Sequence, residues 1–296
     1  MTTATSTVAV IGTGRMGGAM AGTLGKAGFE LILWNRDTTK TEALATKLGA
    51  EVATTPAEAA SSADVVLSSL ADDAAVMHVY LGTDGVLAGV GREAIVIDTS
   101  TIDPETAKTV GAAIDQTGAG FLDCPVSGSV STVEAGALTI MVGGDPSLLD
   151  DVMPVLDALA SRVIHVGDRG AGSATKLAVN GLVHGLNVAL SEALVLAEKS
   201  GVDRATAYDV FASGAGGAPF VQYKREAFEN PDTTPVAFSL DLVAKDLRLI
   251  TGLGDTVGVE MRQARVGLDI VSQAIGAGLG DADLSAIAVY LRRRAS

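Results

Sequence analysis

The sequence predicts an α/β domain, built on a doubly wound and mostly parallel sheet, followed by an all-α domain. Short β-branched runs alternate with helical segments through the first half of the chain. A glycine-rich turn joins the first of these runs to the first helix. After residue 167 the pattern becomes helical and opens with a long, nearly all-apolar segment. We therefore expect domains at residues 1–167 and 168–296, the second opened by a long interdomain helix.

Composition and charge narrow the classes of function. The 296 residues are 48% hydrophobic, which is enough for one large or two ordinary domains. The net charge of −14 disfavours partners such as nucleic acid or an anionic membrane. The single cysteine, Cys124, excludes an intrachain disulfide, and its apolar surroundings predict a small core residue. The basic run 292–294 is expected to be a solvated helix end.

Two segments bear on location. Residues 1–7 lack the basic region of a signal peptide, so we expect a cytoplasmic protein. Residues 178–197 form the most membrane-like stretch, but polar residues interrupt it, namely Asn180, His184, Asn187 and Glu192. Because charged and polar side chains are costly inside a bilayer, a core helix is the better interpretation. The scattered histidines show no metal-ligand spacing, and no metal is expected.

The glycine-rich turn follows the first predicted strand, residues 7–12, and precedes a helix expected to run to about Ala27. It consists of Gly12, Thr13, Gly14, Arg15, Met16 and Gly17. In a dinucleotide-binding turn of this spacing, the first glycine permits the tight turn and the second lets a pyrophosphate approach the backbone. The third lets the helix pack on the strand, and the phosphates meet the helix N-terminus. We predict dinucleotide binding; the alternative is a purely structural turn.

The end of the second predicted strand, residues 29–34, indicates which dinucleotide is bound. Asn35 and Arg36 follow it, about where NAD enzymes carry an acid for the ribose hydroxyls. An arginine suits the 2′-phosphate of NADP instead, and Lys40 lies close by in the sequence. We therefore expect NADPH to be preferred over NADH. The alternative is that Arg36 is an exposed loop residue and the acid is simply missing.

Later strands place three loops at one edge of the sheet. Strands are predicted at residues 64–69, 94–98, 120–126, 138–142 and 162–166. Ligands of doubly wound sheets bind beyond the carboxyl ends of the strands, which here lead into residues 70–72, 99–101 and 127–129. Small residues and free backbone N–H groups at Ser127, Gly128 and Ser129 would bind a carboxylate. An ordinary strand-ending turn is the alternative.

Polar residues on the helices of the second half are candidates for chemistry. Helices are predicted at residues 173–200, 203–213, 219–228, 240–252, 259–277 and 282–293. Lys176 lies in the first turns of the long apolar helix, and Asn180 follows on the same face. Lys176 either extends to solvent or is a catalytic amine. His184 shares this face and is predicted to be an interior histidine. The Lys245–Asp246 pair alone is typical of a solvated surface, but Lys245 would reach a bound cofactor.

Four segments, in this order, resemble the β-hydroxyacid dehydrogenase family, the 3-hydroxyisobutyrate dehydrogenase-like enzymes. They are Gly12-Thr-Gly-Arg-Met-Gly-Gly-Ala-Met-Ala21, Asp123-Cys-Pro-Val-Ser-Gly-Ser129, Gly170-Ala-Gly-Ser-Ala-Thr-Lys-Leu-Ala-Val-Asn180 and Lys245-Asp-Leu247. The resemblance spans nearly the whole chain, and the joint pattern is far more specific than any one motif. It implies a Rossmann domain followed by a helical domain, usually assembled as homodimers or homotetramers.

The resemblance also implies roles for individual residues. Lys176 would be the catalytic acid/base and Asn180 its positioning partner. A set of three residues would hold the substrate carboxylate: Ser127, Gly128 and Ser129. Others would line the cofactor, namely Leu70, Ala71, Ala75, Thr101 and Lys245. The implied reaction moves a hydride between NADP(H) and a small β-hydroxyacid, semialdehyde or glyoxylate-like aldehyde acid.

There are two alternatives to this function. Imine reductases share the architecture but usually replace the lysine with another residue, so Lys176 argues against that activity. A non-catalytic NADP-binding protein is the other alternative, and the intact pair of Lys176 and Asn180 argues against it.

Overall fold

A computed structural model describes residues 6–295, so all but two residues of the segment considered for a signal peptide lie outside it. Two compact units divide the chain: the first ends at Lys176 and the second begins at Leu177. The strands are β1 Thr7–Ile11, β2 Glu30–Trp34, β3 Glu51–Val52, β4 Val65–Ser68, β5 Ile95–Asp98, β6 Gly120–Asp123, β7 Val126–Ser127, β8 Leu138–Gly143 and β9 Ala160–Gly167. The helices of the first unit are α1 Arg15–Lys26, α2 Thr38–Leu48, α3 Pro56–Ser61, α4 Asp73–Leu81, α5 Val86–Gly89, α6 Pro104–Asp115, α7 Val130–Glu134 and α8 Leu149–Leu159.

The strands of the first unit form one sheet in the order β3-β2-β1-β4-β5-β6-β8-β7, with β9 paired to β8. Strands β1 to β6 pair with one another in parallel, and β8 runs antiparallel to β6 and β7. The doubly wound, mostly parallel sheet is therefore confirmed. The strand order reverses between β1 and β4, which is the point at which such sheets open a ligand crevice.

The central strands β1, β4 and β5 are buried on both faces because helices cover both sides of the sheet. In β1, Val8 and Val10 belong to one buried cluster, whereas Ala9 and Ile11 belong to another. Successive side chains of a strand point to opposite faces, so these two clusters are the cores on the two sides of the sheet. Cys124 is fully buried in the first cluster, as predicted, and burial raises the pKa of its thiol.

The second unit is helical, as predicted. Its helices are α9 Ala171–Lys199, which begins within the first unit, α10 Arg204–Ser213, α11 Pro219–Tyr223, α12 Arg225–Glu229, α13 Leu240–Val257, α14 Arg262–Ala274 and α15 Ala286–Arg294. A single π-helical turn, Ile275–Leu279, follows α14. Because α9 continues through the point where the two units divide, the predicted boundary between residues 167 and 168 stays a prediction.

Helix α9 is long and apolar enough to cross a membrane by length and composition, and half of its most apolar window is buried. Five polar side chains on it are also buried: Ser173, Asn180, His184, Asn187 and Ser191. Asn187 donates to the carbonyl oxygen of Leu284, and Ser191 donates to the carbonyl oxygen of Asn187. Buried polar groups with protein partners are typical of a core helix, which is the predicted interpretation.

Two expectations about the helical unit are wrong in detail. The helix predicted at 219–228 is two short helices that meet at Lys224, whose ammonium forms a buried ion pair with Asp283, 2.9 Å from both carboxylate oxygens. The basic C-terminal run is not uniformly solvated either. Arg292 makes two 2.6 Å hydrogen bonds to Glu198, because the end of α15 lies beside the end of α9.

Candidate active site

The glycine-rich turn has the geometry of a phosphate-binding turn. Gly12 has a φ of +92°, and a Cβ there would overlap the carbonyl oxygen of Ser69, the first residue after the neighbouring strand β4. A Cβ at Gly17 would overlap the carbonyl oxygen of Gly12. Gly14 is exposed, and a Cβ there would meet no atom within 4 Å. Gly14 is also the N-cap of α1, which has no side-chain cap and no acid in its first turn, so its backbone donors fit an incoming diphosphate.

The residues predicted to select the cofactor follow β2. Arg36 and Lys40 are exposed, and Asn35 is half-buried. The Asn35 side-chain amide donates to the carbonyl oxygen of Asp37 over 3.2 Å. The Lys40 ammonium lies 3.5 Å from the Asp37 carboxylate. Arg36 and Lys40 therefore place two cations after β2, and the carboxylate of Asp37 beside them is paired with Lys40.

The loops after β4 and β5 are joined by a buried hydrogen-bond network. The backbone N–H of Leu70 donates to the Ser100 hydroxyl over 2.9 Å, and that hydroxyl donates to Asp98 Oδ1 over 2.7 Å. The Ser68 hydroxyl also donates to Asp98 Oδ1, over 2.5 Å, so it accepts from the Tyr80 hydroxyl 2.6 Å away. Asp98 thus fixes the course of the loop that carries two predicted cofactor residues, Leu70 and its neighbour in sequence.

Asp98 has an unusual electrostatic environment for a carboxylate. Its side chain is fully buried, and Oδ2 has no hydrogen-bond partner within the described residues. Burial raises its pKa from 3.8 to about 6. The charge of Asp123, its register partner on β6, adds to that rise, while hydrogen bonds from Ser68 and Ser100 oppose it. Asp98 was not among the site residues predicted from the sequence.

The other predicted cofactor residues of the first unit lie at the same edge of the sheet. The exposed Ala71 and the half-buried Thr101 follow β4 and β5. The backbone N–H of Ala75, in the first turn of α4, donates to the side chain of Asp72 over 2.8 Å. Within this unit, the structure therefore brings the predicted cofactor residues to the carboxyl ends of parallel strands.

The predicted carboxylate-binding segment connects β7 to α7. Gly128 is exposed and has a φ of +144°, a conformation that favours glycine. The Ser129 hydroxyl lies 2.8 Å from that of Ser131 and 3.0 Å from that of Thr132, and the Ser129 N–H donates to the Thr132 hydroxyl. Ser129 is thus the N-cap of α7 in a capping box, which orients its hydroxyl.

Asp123 connects the sheet to the beginning of α9, the helix that carries Lys176. Its side chain is buried, and its two carboxylate oxygens accept the N–H groups of Gly170 and Ser173, each over 2.8 Å. Burial raises its pKa, although these hydrogen bonds act in the opposite direction. Lys176 itself is half-buried and lies one turn beyond Ser173. Asp123 stands in one of the four family-like segments, but no role was predicted for it.

In the second unit, the carboxylate of Asp246 contacts three polar side chains. The Asn180 amide nitrogen donates to Asp246 Oδ2 over 2.6 Å, the Lys245 ammonium lies 3.0 Å from Oδ1, and His184 Nε2 lies 3.5 Å from Oδ2. Asp246 is fully buried, so the expectation of a solvated Lys245–Asp246 pair is wrong. Burial acts to raise its pKa, but the His184 hydrogen bond and the Lys245 charge outweigh it and lower the pKa.

His184 is an interior histidine, as predicted. It is buried, and its ring stacks on that of Phe238 with centroids 6.0 Å apart. The structure thus brings Asn180 and Lys245 together on one carboxylate. Among residues 6–295, no group of three or more histidine, cysteine or acidic side chains is arranged to hold a metal ion.

Two family models match the chain. Residues 7–167 match the NAD binding domain of 6-phosphogluconate dehydrogenase. Residues 170–291 match the NAD-binding domain of NADP-dependent 3-hydroxyisobutyrate dehydrogenase. A nicotinamide dinucleotide is therefore the cofactor, in agreement with the glycine-rich turn.

Individual proteins agree with the family models. Glyoxylate/succinic semialdehyde reductase 1 of Arabidopsis thaliana is 36% identical over 280 residues, which is 95% of this chain and 96% of the relative. Mycobacterium tuberculosis 3-hydroxyisobutyrate dehydrogenase, solved with L-serine, is 33% identical with a TM-score of 0.86, covering 98% of this chain and all of that one. Psf3, solved with NADP+ and 2-OPP, is 26% identical with a TM-score of 0.87, covering 96% of this chain and 99% of that one. The chain thus belongs to the β-hydroxyacid dehydrogenase family of NAD(P)-dependent oxidoreductases, which act on CH–OH groups.

Proposed function

We propose that this protein transfers a hydride between NADP(H) and a small β-hydroxyacid, semialdehyde or glyoxylate-like aldehyde acid, with Lys176 as general acid/base. The observation that carries this proposal is the setting of Lys176 on α9. It is an amine on an otherwise apolar stretch, one turn before Asn180, whose amide is held by the buried Asp246. A lysine with only a solubilising role would not require a positioned amide on the same helix face.

The roles of the chain's own residues follow from this setting. When bound, the nicotinamide supplies or accepts the hydride at the substrate carbon. In the reductive direction, the Lys176 ammonium stabilises the negative charge that develops on the carbonyl oxygen and donates the proton. In the oxidative direction, its amine takes the proton back. The Asn180 NH₂ group donates to Asp246, so its carbonyl oxygen would be the atom that accepts a hydrogen bond from the Lys176 ammonium.

The substrate class follows from the segment between β7 and α7. The Ser127 and Ser129 hydroxyls and the Gly128 N–H would bind a carboxylate beside the reacting carbon, since the Ser129 N–H is already bonded to the Thr132 hydroxyl. The named activities of the relatives, on glyoxylate, succinic semialdehyde and 3-hydroxyisobutyrate, share such a group. An NADPH-consumption screen over glyoxylate and succinic, tartronate and methylmalonate semialdehydes, with the reverse hydroxyacid reactions, would identify the substrate.

NADP is the proposed cofactor because Arg36 and Lys40 present two cations after β2. A 2′-phosphate is doubly charged and prefers a guanidinium that donates two hydrogen bonds. A relative solved with NADP+ supports this choice. Lys245 is proposed to contact the bound cofactor. Its ammonium is already paired with Asp246, so that contact would be made beside a fixed carboxylate.

The assembly is proposed to be a homodimer or homotetramer, and the location cytoplasmic. Leu182 and Leu196 of α9 are 76% and 70% exposed, and they lie on one face of that helix. Large apolar side chains repeated along one helix face are typical of a surface that another subunit covers.

The test of the proposed reaction is the pair of variants Lys176→Ala and Lys176→Arg. Lys176→Ala should lower kcat by about 10² to 10⁴, the usual contribution of a positioned acid/base. Lys176→Arg should not restore it, because a guanidinium does not give up its proton at these pH values. NADPH affinity should be unchanged, since the phosphates bind at the glycine-rich turn. The matched control is Lys199→Ala in the last turn of the same helix. Near-wild-type turnover in Lys176→Ala would show that the assignment is wrong.

A further inference from the structure

Helix α9 begins without a capping side chain of its own. Gly170 precedes its first residue, and the Gly170 carbonyl oxygen accepts the N–H of Ala174, so Gly170 occupies the N-cap position. In a capping box, two side chains satisfy the N–H groups of the N-cap and of the third helical residue. Gly170 has no side chain to accept the Ser173 N–H, and the Gly170 N–H donates to Asp123 rather than to the Ser173 side chain. In α9 these two N–H groups belong to Gly170 and Ser173.

Asp123 supplies both acceptors from a different part of the chain. Its Oδ1 accepts the Gly170 N–H and its Oδ2 accepts the Ser173 N–H, each over 2.8 Å. The carboxylate also places a negative charge at the positive end of the helix dipole. A single buried side chain thereby replaces a capping box, at a sequence separation of up to 50 residues.

The surroundings of this carboxylate leave it little freedom. A Cβ at Gly143 would lie 2.5 Å from Asp123 Oδ1, and a Cβ at Gly172 would lie 2.9 Å from Oδ2. Both glycines therefore provide the space that the carboxylate occupies. A side chain packed this closely, with both oxygens bonded, fixes the first turn of α9 relative to the end of β6.

The same residue ends β6, and the chain continues from it into Ser127 at the end of β7. We propose that Asp123 is a positioning residue that sets the location of Lys176 relative to the substrate-binding segment. This inference rests on the proposed function, since it requires Lys176 to be the acid/base. Lys176 lies three residues after Ser173, or about 4.5 Å along the helix axis. A shift of the first turn would therefore also move the Lys176 amine. A misplacement of a catalytic group by about 1 Å lowers the rate by up to about 10²-fold.

The variant Asp123→Asn tests this role with little change of shape. Asparagine offers one oxygen and one NH₂ group, so one of the two helix N–H groups would face a donor. We expect kcat to fall by about 10- to 100-fold, with KM and the NADPH dissociation constant within about twofold of wild type. Hydrogen exchange should accelerate in the peptide that covers residues 168–176. The matched control is Asp115→Asn, which alters a carboxylate bonded to Arg169 in the same connection but to no α9 amide.

A double-mutant cycle separates positioning from general stabilisation. If Asp123 acts through Lys176, the double variant Asp123→Asn/Lys176→Ala should turn over no more slowly than Lys176→Ala alone. If Asp123→Asn does not fold, Gly143→Ala is the second variant, because its Cβ would lie 2.5 Å from Asp123 Oδ1 and 2.6 Å from the Gly172 backbone nitrogen. It would therefore displace the carboxylate and the first turn of α9 together while the acid remains. It should show the same loss confined to kcat.

Three outcomes would overturn the inference: additive losses in the double variant, an unchanged kcat in folded Asp123→Asn or Gly143→Ala, or an equal loss in Asp115→Asn. Failure of the proposed function is recognised separately. It appears as near-wild-type turnover in Lys176→Ala itself, whatever Asp123→Asn does.

Discussion

Replacing Asp98 by asparagine should change how the free energy of unfolding depends on pH. In the folded protein burial raises the pKa of Asp98 from 3.8 to about 6. A raised pKa means that the folded state holds the proton more tightly than the unfolded state. The stabilisation is therefore fully present below about pH 3.8 and is lost as the pH rises to about 6. At 1.36 kcal/mol per pH unit, the loss for this fully buried group is roughly 3 kcal/mol.

The assay is urea unfolding of wild type and Asp98→Asn at a series of pH values from about 4 to 8. Asparagine keeps an oxygen for the Ser68 and Ser100 hydroxyls but cannot ionise. The difference in the free energy of unfolding, variant minus wild type, should therefore increase by up to roughly 3 kcal/mol across this range. All other titrating groups contribute to both proteins, and the repulsion between Asp98 and Asp123 is already included in the raised pKa of Asp98.

Asp145→Asn is the control for a carboxylate whose pKa is lowered. The Asp145 carboxylate accepts hydrogen bonds from Ser147, which lower its pKa below 3.8, so its contribution is lost only as the pH falls below that value. The difference between this variant and wild type should therefore stay flat from about pH 4 to 8. A difference between Asp98→Asn and wild type that stays flat from about pH 4 to 8 would refute the reasoning. It would mean that water or a rearranged Ser68 solvates the charge.

Two further predictions concern the cofactor and the assembly. Arg36→Ala should raise KM for NADPH about tenfold or more and leave KM for NADH little changed, since a charge-assisted phosphate contact contributes roughly 1.5–3 kcal/mol. Steady-state kinetics with both cofactors measure this effect. A wild type that prefers NADH would contradict the prediction. Light scattering at micromolar concentration should give a mass above the 29.8 kDa of one chain. Leu196→Lys should lower that mass, whereas Val210→Lys, at a similarly exposed apolar site on α10, should not. A wild type with the mass of a single chain would contradict the proposal that the protein is an oligomer.

The fold was predictable where a pattern was long enough to be detected. Strands β1, β2 and β5 are mainly apolar runs next to turns, and they begin and end within one residue of the expected positions. Strand β3 was missed because Glu51 and Val52 are two exposed residues without a pattern. The split of the helix predicted at 219–228 was missed for another reason. The split falls at Lys224, whose partner in a buried ion pair, Asp283, is 59 residues away in the sequence.

The site was predictable only for residues that stand in local motifs. The spacing of the glycine-rich turn alone predicts dinucleotide binding, because all three glycines stand in one short segment. One permits the tight turn, one lets a phosphate approach the backbone, and one lets the helix pack on the strand. Asp98 and Asp246 were missed as organising residues, since their role lies in hydrogen bonds to partners 30 and 66 residues away. Without those partners, Asp246 beside Lys245 has the pattern of an ordinary surface pair.

A signal for the two buried acids of the sheet is nevertheless present in the sequence. Asp98 ends the apolar strand Ile95–Asp98, and Asp123 ends the strand Gly120–Asp123. An acid buried at the carboxyl end of a parallel strand is costly unless it is hydrogen-bonded, so it implies donors at that edge. A ligand or the protein's own N–H groups supply such donors. Gly170, an N-cap without a side chain, leaves two such N–H groups unsatisfied within its own helix. An apolar strand that ends in aspartate, together with a later helix that begins at glycine, therefore predicts a contact between the carboxylate and the first turn of that helix.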